Sequence, residues 1–345
     1  MNGSPLSLAP PAASRPPTVP ALPEPRGPVS EAILAALRRV PGVCEVPLVD
    51  VADPLGDDDL HLALYCCYEL HYRGFAGVDP HWEWDPHLLA ARGALERPFE
   101  VALRERLPPA PVEPGAVEAT LRAVVDDDSG PSLARTVERR ASLDQVREFL
   151  VHRSAYQLKE ADPHSWAVPR LAGRPKEALI EVQADEYGGG RPGRMHATLF
   201  ANAMRALGLD DRYGAYLDRI PGTTLATVNL MSLFGLHRRL RGAIVGHLAA
   251  FEMTSSEPNG RYARGLRRLG AGDDATDFFD EHVEADALHE AVAAHDLAGG
   301  LARCEPDLAS DIVFGAQALM LLEAAFGAAL VGAWGSGRSS LRVPL

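Results

Sequence analysis

His282, Asp286 and His289 stand at i, i+4 and i+7 in the run DEHVEADALHE. A helix of 3.6 residues per turn lays such offsets along one stripe. Two imidazoles and a carboxylate on one stripe suit a hard-to-borderline divalent metal. So short a triplet also arises on ordinary acidic helices, and its meaning depends on whether other helices supply matching ligands. The spacing predicts a helix that starts near Thr276 or Asp277, with acidic side chains at the positive end of its dipole.

Two further stretches offer such ligands. PKEALIEVQADEYGGG places Pro175 in the first turn of a helix that closes on Asp185, Glu186 and then glycine. RMHATLFANAMRALGL resumes a helix with His196 near its start. Glu186 and His196 lie about 80° apart on an unbroken helix, so they converge only if the chain unwinds between them. Gly188, Gly189, Gly190 and Pro192 are the residues that allow this. In the third stretch Val245, Leu248 and Glu252 share a stripe, so Glu252 points where its apolar neighbours point. A buried carboxylate without a partner costs several kcal/mol and calls for a metal, an arginine or a proton.

Together Glu186, His196, Glu252, His282, Asp286 and His289 give three carboxylates and three imidazoles. That set suits two iron ions with positions left open for oxygen. It differs from the ferritin-like arrangement, because Asp286 and His289 form the only carboxylate-x-x-His pair. Other polar residues read as structural. Glu69 and His71 sit beside aromatics and should close a hydrogen-bond network. His237 and His247 fall on other faces and read as surface or groove residues. Glu323, midway along an apolar helix, reads as a hydrogen-bond partner for a neighbouring helix.

The elements that must position these residues are helices. Apolar spacing predicts helices from near Ser30 to Val40, from Asp57 to Tyr72, after Pro86, over 116–124 and 143–159, and from Asp311 to Trp334. Strand patterns are nearly absent, so the fold class is all-α. Residues 1–29 hold nine of the 28 prolines and no apolar periodicity, and should be disordered or draped over the surface. LPPAPVEPG at 107–115 reads as a rigid spacer.

With 46% hydrophobic and 23% charged residues, the 345-residue chain has the composition of a globular protein. Its formal charge of −13 argues against nucleic acid or an anionic membrane as partner. Cys44, Cys66, Cys67 and Cys304 show no zinc spacing and read as buried thiols of a reducing cytoplasm. No basic segment followed by an apolar run opens the chain, so no signal peptide is expected. The long C-terminal apolar helix approaches a membrane span. Glu323 in its middle, abundant Gly and Ala and the lack of a basic flank favour a bundle core.

EVQADEYGGGRPGRMHATLF, AAFEMTSS and DEHVEADALHE together resemble the haem-oxygenase-like diiron oxidases, the iron-containing redox enzyme family. The family's ligand motifs match at Glu186, His196, Glu252, His282, Asp286 and His289. The spacing is most similar to the N-oxygenase domain of N-nitrosourea-forming enzymes, where an additional carboxylate ligand lies upstream. Glu160 stands at the matching position; read without the resemblance it is a surface residue beside Lys159. The resemblance spans about 143–334 and, more weakly, the helical region before it.

It implies a haem-oxygenase-like helical bundle over 141–336, an N-terminal helical dimerisation region over 30–140 and a Pro-rich tail over 1–29. It also implies two Fe(II) ions, O2 as co-substrate, an external electron donor and a small amine or amino-acid substrate that is N-oxygenated. The chain stops at Leu345 without the C-terminal cupin of those enzymes, so nitrosourea formation is not implied. Members of the family also cleave C–C bonds oxidatively or desaturate. A metal-free helical binding protein on the same architecture would leave the six ligands without a role.

Overall fold

The computed structural model describes residues 19–47, 50–127 and 132–345, and for 284–288 the backbone only. Among the described residues every regular element is helical, as the apolar spacing requires. The helices are α1 (Pro28–Leu37), α2 (Asp58–Glu69), α3 (Pro86–Arg106), α4 (Val117–Asp126), α5 (Leu133–Arg139) and α6 (Leu143–Gln157). They continue with α7 (Asp162–Ser165), α8 (Gly173–Glu186), α9 (His196–Ala206), α10 (Gly222–Leu236), α11 (Arg241–Met253) and α12 (Ser256–Arg268). Last come α13 (Asp273–Ala291), α14 (Gly300–Cys304) and α15 (Ala309–Gly335).

Helix starts follow side-chain caps. Asp57 accepts from the amides of Asp59 and Leu60 at the head of α2, and Ser142 with Gln145 forms a reciprocal capping box at the head of α6. α1 begins two residues earlier than Ser30 because Pro28 fits its first turn, and it ends before Val40, which is exposed. α13 begins at Asp273, upstream of the cap expected at Thr276 or Asp277; Thr276 is fully buried inside it. The seven-residue α5 was not legible in the apolar spacing.

α10 and α11 are buried along most of their length and form the core with the buried face of α15. Pro306–Gly335 is one described stretch long and apolar enough to cross a membrane. Here it packs against α10 and α11. The α11–α15 crossing is close because glycine meets backbone from both sides. A Cβ at Gly246 would run into the Ile312 carbonyl, and one at Gly315 into that of Ala243. Gly246→Ala should therefore push α11 off α15 and cost about 1–3 kcal/mol, as overpacking does. Thermal unfolding of the variant checks this, and an unchanged midpoint would refute the close crossing. The polar group within α15 is satisfied as expected: Glu323 takes both terminal nitrogens of Arg153 from α6, at 2.7 and 2.6 Å.

The N-terminal helices are bound into the same core. α2 packs on α10, and Glu69 at its end is fully buried. Glu69 accepts from Lys159 Nζ at 2.9 Å and from the Tyr213 hydroxyl at 2.5 Å. His71 lies between Glu83 (3.3 Å) and Arg92 (2.6 Å). Both residues thus close the network that their aromatic neighbours indicated. Trp82 is buried and donates to the Arg39 carbonyl, whereas Trp84 is 61% exposed and meets His71 edge-on.

Candidate metal centre

Each candidate ligand reaches the interior by a different local device. Glu160 follows the end of α6, where Ala161 turns the chain with a left-handed φ of 72°. A non-glycine residue there is strained, and such strain persists only where the surroundings hold it. Gln183 of α8 does so, donating to the Ala161 carbonyl at 2.9 Å and to Ser165 Oγ at 2.7 Å. The turn buries Lys159 and Glu160 on opposite sides, Lys159 toward Glu69 and Glu160 toward α13. Glu160 is therefore not the surface residue that its neighbour Lys159 suggested.

Glu186 closes α8, and the chain then unwinds through Gly188, Gly189 and Gly190, all with positive φ, before α9 opens on His196. A Cβ at Gly188 would sit 2.6 Å from the Arg194 carbonyl carbon, so the break is closed as tightly as the chain allows. The break brings His196 Nδ1 to 3.0 Å from Glu186 Oε2. Glu252 lies on the buried face of α11 with Val245 and Leu248, as its stripe indicated. His282 and His289 lie along α13, both buried. The side chain of Asp286, the middle member of that stripe, falls outside the described residues.

These side chains converge on two donor groups. Glu160, Glu186, His196 and His282 each place a ligand atom within 4.8 Å of the others, and so do Glu186, Glu252 and His289. Glu186 belongs to both groups. Of the seven residues singled out in the sequence, six meet here.

The imidazoles are oriented from outside. His282 Nδ1 lies 2.7 Å from the Phe278 carbonyl, which accepts only if that nitrogen carries the proton. Nε2 is then the lone-pair nitrogen, 3.6 Å from Glu160 Oε1. His289 Nε2 lies 2.9 Å from Asp185 Oδ2, while Nδ1 faces Glu252 at 3.7 Å. A carboxylate behind a ligating imidazole fixes its tautomer and raises its basicity. Asp185 and the Phe278 carbonyl carry no ligand spacing of their own. Asp185 could have been found only as the acidic neighbour of Glu186, and a backbone carbonyl not at all.

Charge explains why a cation fits. Both oxygens of Glu160 are buried and make no hydrogen bond among the described residues. Burial raises the Glu160 carboxyl above its ordinary range, opposed by His282 and reinforced by Glu186. Burial likewise raises Glu252, opposed by His289 and reinforced by Glu186. The facing Glu252 carboxylate leads the causes that lift His289 to about 9, with the hydrogen bond to Asp185 adding to it. Three carboxylates crowded in a low-dielectric interior repel one another, and two divalent ions would relieve that repulsion. The donor set, carboxylate and imidazole with no thiolate, suits iron. The cysteines lie elsewhere; Cys66 and Cys67 are buried, while Cys304 is exposed, contrary to expectation.

A metal at His289 must displace the proton that the iron-free protein holds there. Ferrous affinity of the pocket that holds His289 should rise about tenfold per pH unit from neutrality toward pH 9, since His289 gives up one proton to the ion bound there. The sign for stability is opposite. A histidine whose folded pKa exceeds its ordinary 6.5 lends stability below that value and loses it as pH rises through about 9. Anaerobic iron titration at stepped pH checks the first trend; a flat profile would contradict it.

Two other readings change. His247 is fully buried rather than superficial, with Nδ1 3.1 Å from His164 Nε2 and its ring stacked on Phe251. Burial holds both imidazoles far below the usual histidine range. His237 is partly exposed and pairs with Glu96 at 2.9 Å. Beyond α13 the helix widens to an i→i+5 pattern over Val292–Gly299, three residues past His289. Such wide turns often mark functional sites, and nothing in the apolar spacing signals this one.

The fold and site define an all-α protein whose core holds two carboxylate-and-imidazole pockets joined by one glutamate. A family model described as iron-containing redox enzyme matches residues 147–324, just over half of the chain. The chain belongs to this family of oxidoreductases. A solved structure of a CADD-like protein of unknown function from Nostoc punctiforme PCC 73102 is 18% identical, with a TM-score of 0.48. The alignment covers 67% of this chain and 98% of that one. No curated protein matches the chain.

Proposed function

We propose that this chain is a non-haem diiron oxygenase that uses O2 to oxygenate the amine nitrogen of an amino-acid-derived substrate. The observation that carries the reading is the sharing of Glu186 between the two buried donor groups. One ion would be held by Glu160, Glu186, His196 and His282, and the second by Glu186, Glu252 and His289. Asp286, on the same helical stripe, is the remaining ligand expected of the pair. Two ferrous ions would supply two of the electrons that O2 needs.

The balance is simple. One oxygen atom enters the substrate N–H bond, the other leaves as water with two protons, and an external donor then returns two electrons. The chain's own residues set the conditions. Glu160, buried beside the turn at Ala161, adds a carboxylate that offsets the charge gained when iron is oxidised. Asp185 holds the His289 ring, and its side chain is 53% exposed, so this edge of the centre lies one residue from solvent. The spacing shared with N-oxygenase domains supports nitrogen as the atom oxygenated.

The test is aerobic incubation of the ferrous-loaded protein with a panel of amino acids under 18O2. A product that gains one labelled oxygen on nitrogen supports the reading. Oxygen uptake giving only carbon-centred cleavage or desaturation products would refute N-oxygenation, and a protein that takes up no iron would refute the diiron reading itself.

A further inference from the structure

In a chain of net charge −13, one face is basic. α12 carries Arg261, Arg264, Arg267 and Arg268 against Glu257. α5 and its C-cap add Arg135, Arg139 and Arg140 against Glu138, and the two helices pack on each other. Seven arginines meet three carboxylates here, because Asp280 of α13 pairs with Arg267 and Glu257 with Arg261, so the face keeps an excess of positive charge. Glu138 is shared between Arg261 (3.0 Å) and Arg264 (2.7 Å), and Arg268 donates to the carbonyls of Val137, Glu138 and Ala141. Arg139, Arg264 and Arg267 keep 72%, 56% and 48% of their side chains exposed.

Beneath this face an aromatic series leads to the centre. Tyr262 of α12 lies 5.8 Å from Phe279 between ring centroids, Phe279 lies 5.1 Å from Phe278, and Phe278 lies 4.4 Å from His282. Phe278 also accepts the His282 Nδ1 proton through its carbonyl. The rings thus join the arginine face to one of the candidate ligands without a gap. The series branches to Phe149, 4.6 Å from Tyr262, and to Phe200, 5.1 Å from Phe278.

We propose that the α5–α12 face docks a small acidic one-electron carrier protein and that Tyr262, Phe279 and Phe278 form the route by which its electrons reach the centre. This rests on the diiron reading, which requires two electrons from outside in each turnover. Two successive carriers are each oxidised by one electron, and two ferric ions return to ferrous. Charge complementarity selects the partner: an acidic carrier is repelled by a molecule of net negative charge and drawn to this arginine-rich face. Electron transfer falls steeply with the gap to be crossed, so contiguous rings favour this approach.

The test uses the full chain and a plant-type [2Fe–2S] ferredoxin as the acidic carrier. Binding is titrated at low and high salt, with iron present and absent. Wild type should bind with an affinity that falls as salt rises, and Arg139→Glu with Arg264→Glu should weaken it by about tenfold or more. Phe279→Leu should bind normally but accept electrons from the reduced carrier more slowly, while dithionite reduces both proteins alike. Unchanged binding in the charge-reversed variant, or binding of phosphatidylglycerol vesicles with the carrier ignored, would overturn the docking face. Normal carrier-driven reduction of Phe279→Leu would overturn the route. The binding arm needs no iron, so a chain that holds none fails the diiron reading without deciding this one.

Discussion

Glu186→Gln should empty both metal pockets at once. Its carboxylate belongs to each donor group, whereas Glu160 belongs only to the first and Glu252 only to the second. Outer-sphere partners of a metal commonly carry about 10–100-fold in affinity, and loss of a shared direct ligand should exceed that in both pockets. Glu160→Gln and Glu252→Gln should each weaken one pocket and spare the other. Iron content after anaerobic loading and desalting reads this directly. The iron-free variant should melt at or above wild type, because Glu186 is among the charges that disfavour ionisation of Glu160 and Glu252. A role that was merely structural would lower the melting point. Full occupancy of either pocket in Glu186→Gln would refute the shared ligand.

The legible parts of this site were those governed by local periodicity. The stripe of α13, the apolar face that carries Glu252 and the glycine break between Glu186 and His196 all follow from 3.6 residues per turn and from what glycine permits. Glu160 was not legible in that way. Its burial depends on the left-handed turn at Ala161, held by Gln183 from a helix more than twenty residues on, and alanine gives no signal for such a turn. The spacing of Glu160 pointed to it only through the family resemblance. His247 was misplaced for a related reason. On α11 it leaves the Glu252 stripe, yet α11 is buried on nearly every side, so a polar face did not mean a solvent face. Tertiary packing around a central helix erases the contrast on which a periodicity argument depends.

The largest loss of stability should come from a residue that is not among the ligands, Glu69. Lys159 Nζ is buried to 1% and held 2.9 Å from Glu69 Oε2, whose own side chain has no exposure. The rings of Tyr72, Tyr65 and Tyr213 stand 4.1, 5.1 and 5.8 Å from the same ammonium group and supply no opposite charge. Glu69→Ala therefore leaves a buried cation without its anion and the Tyr213 hydroxyl without its acceptor. Breaking one partner of such a pair costs about 3–5 kcal/mol, a large part of the about 5–15 kcal/mol that holds a typical domain folded. Lys159→Met in the same chain should recover most of the loss, because the apolar stem then fills the tyrosine cage without a charge. The effect should reach the centre as well. Lys159 and Glu160 are consecutive in the turn that Ala161 reverses, so freeing the lysine loosens the carboxylate beside it. Glu69→Ala should accordingly lose iron from the pocket of Glu160, His196 and His282 before that of Glu252 and His289. Denaturant unfolding of the single and double variants, with iron content measured on each, gives both readings. A single variant as stable as the double would show that the pair does not carry the fold, and equal iron loss from both pockets would show that the turn is held by other contacts.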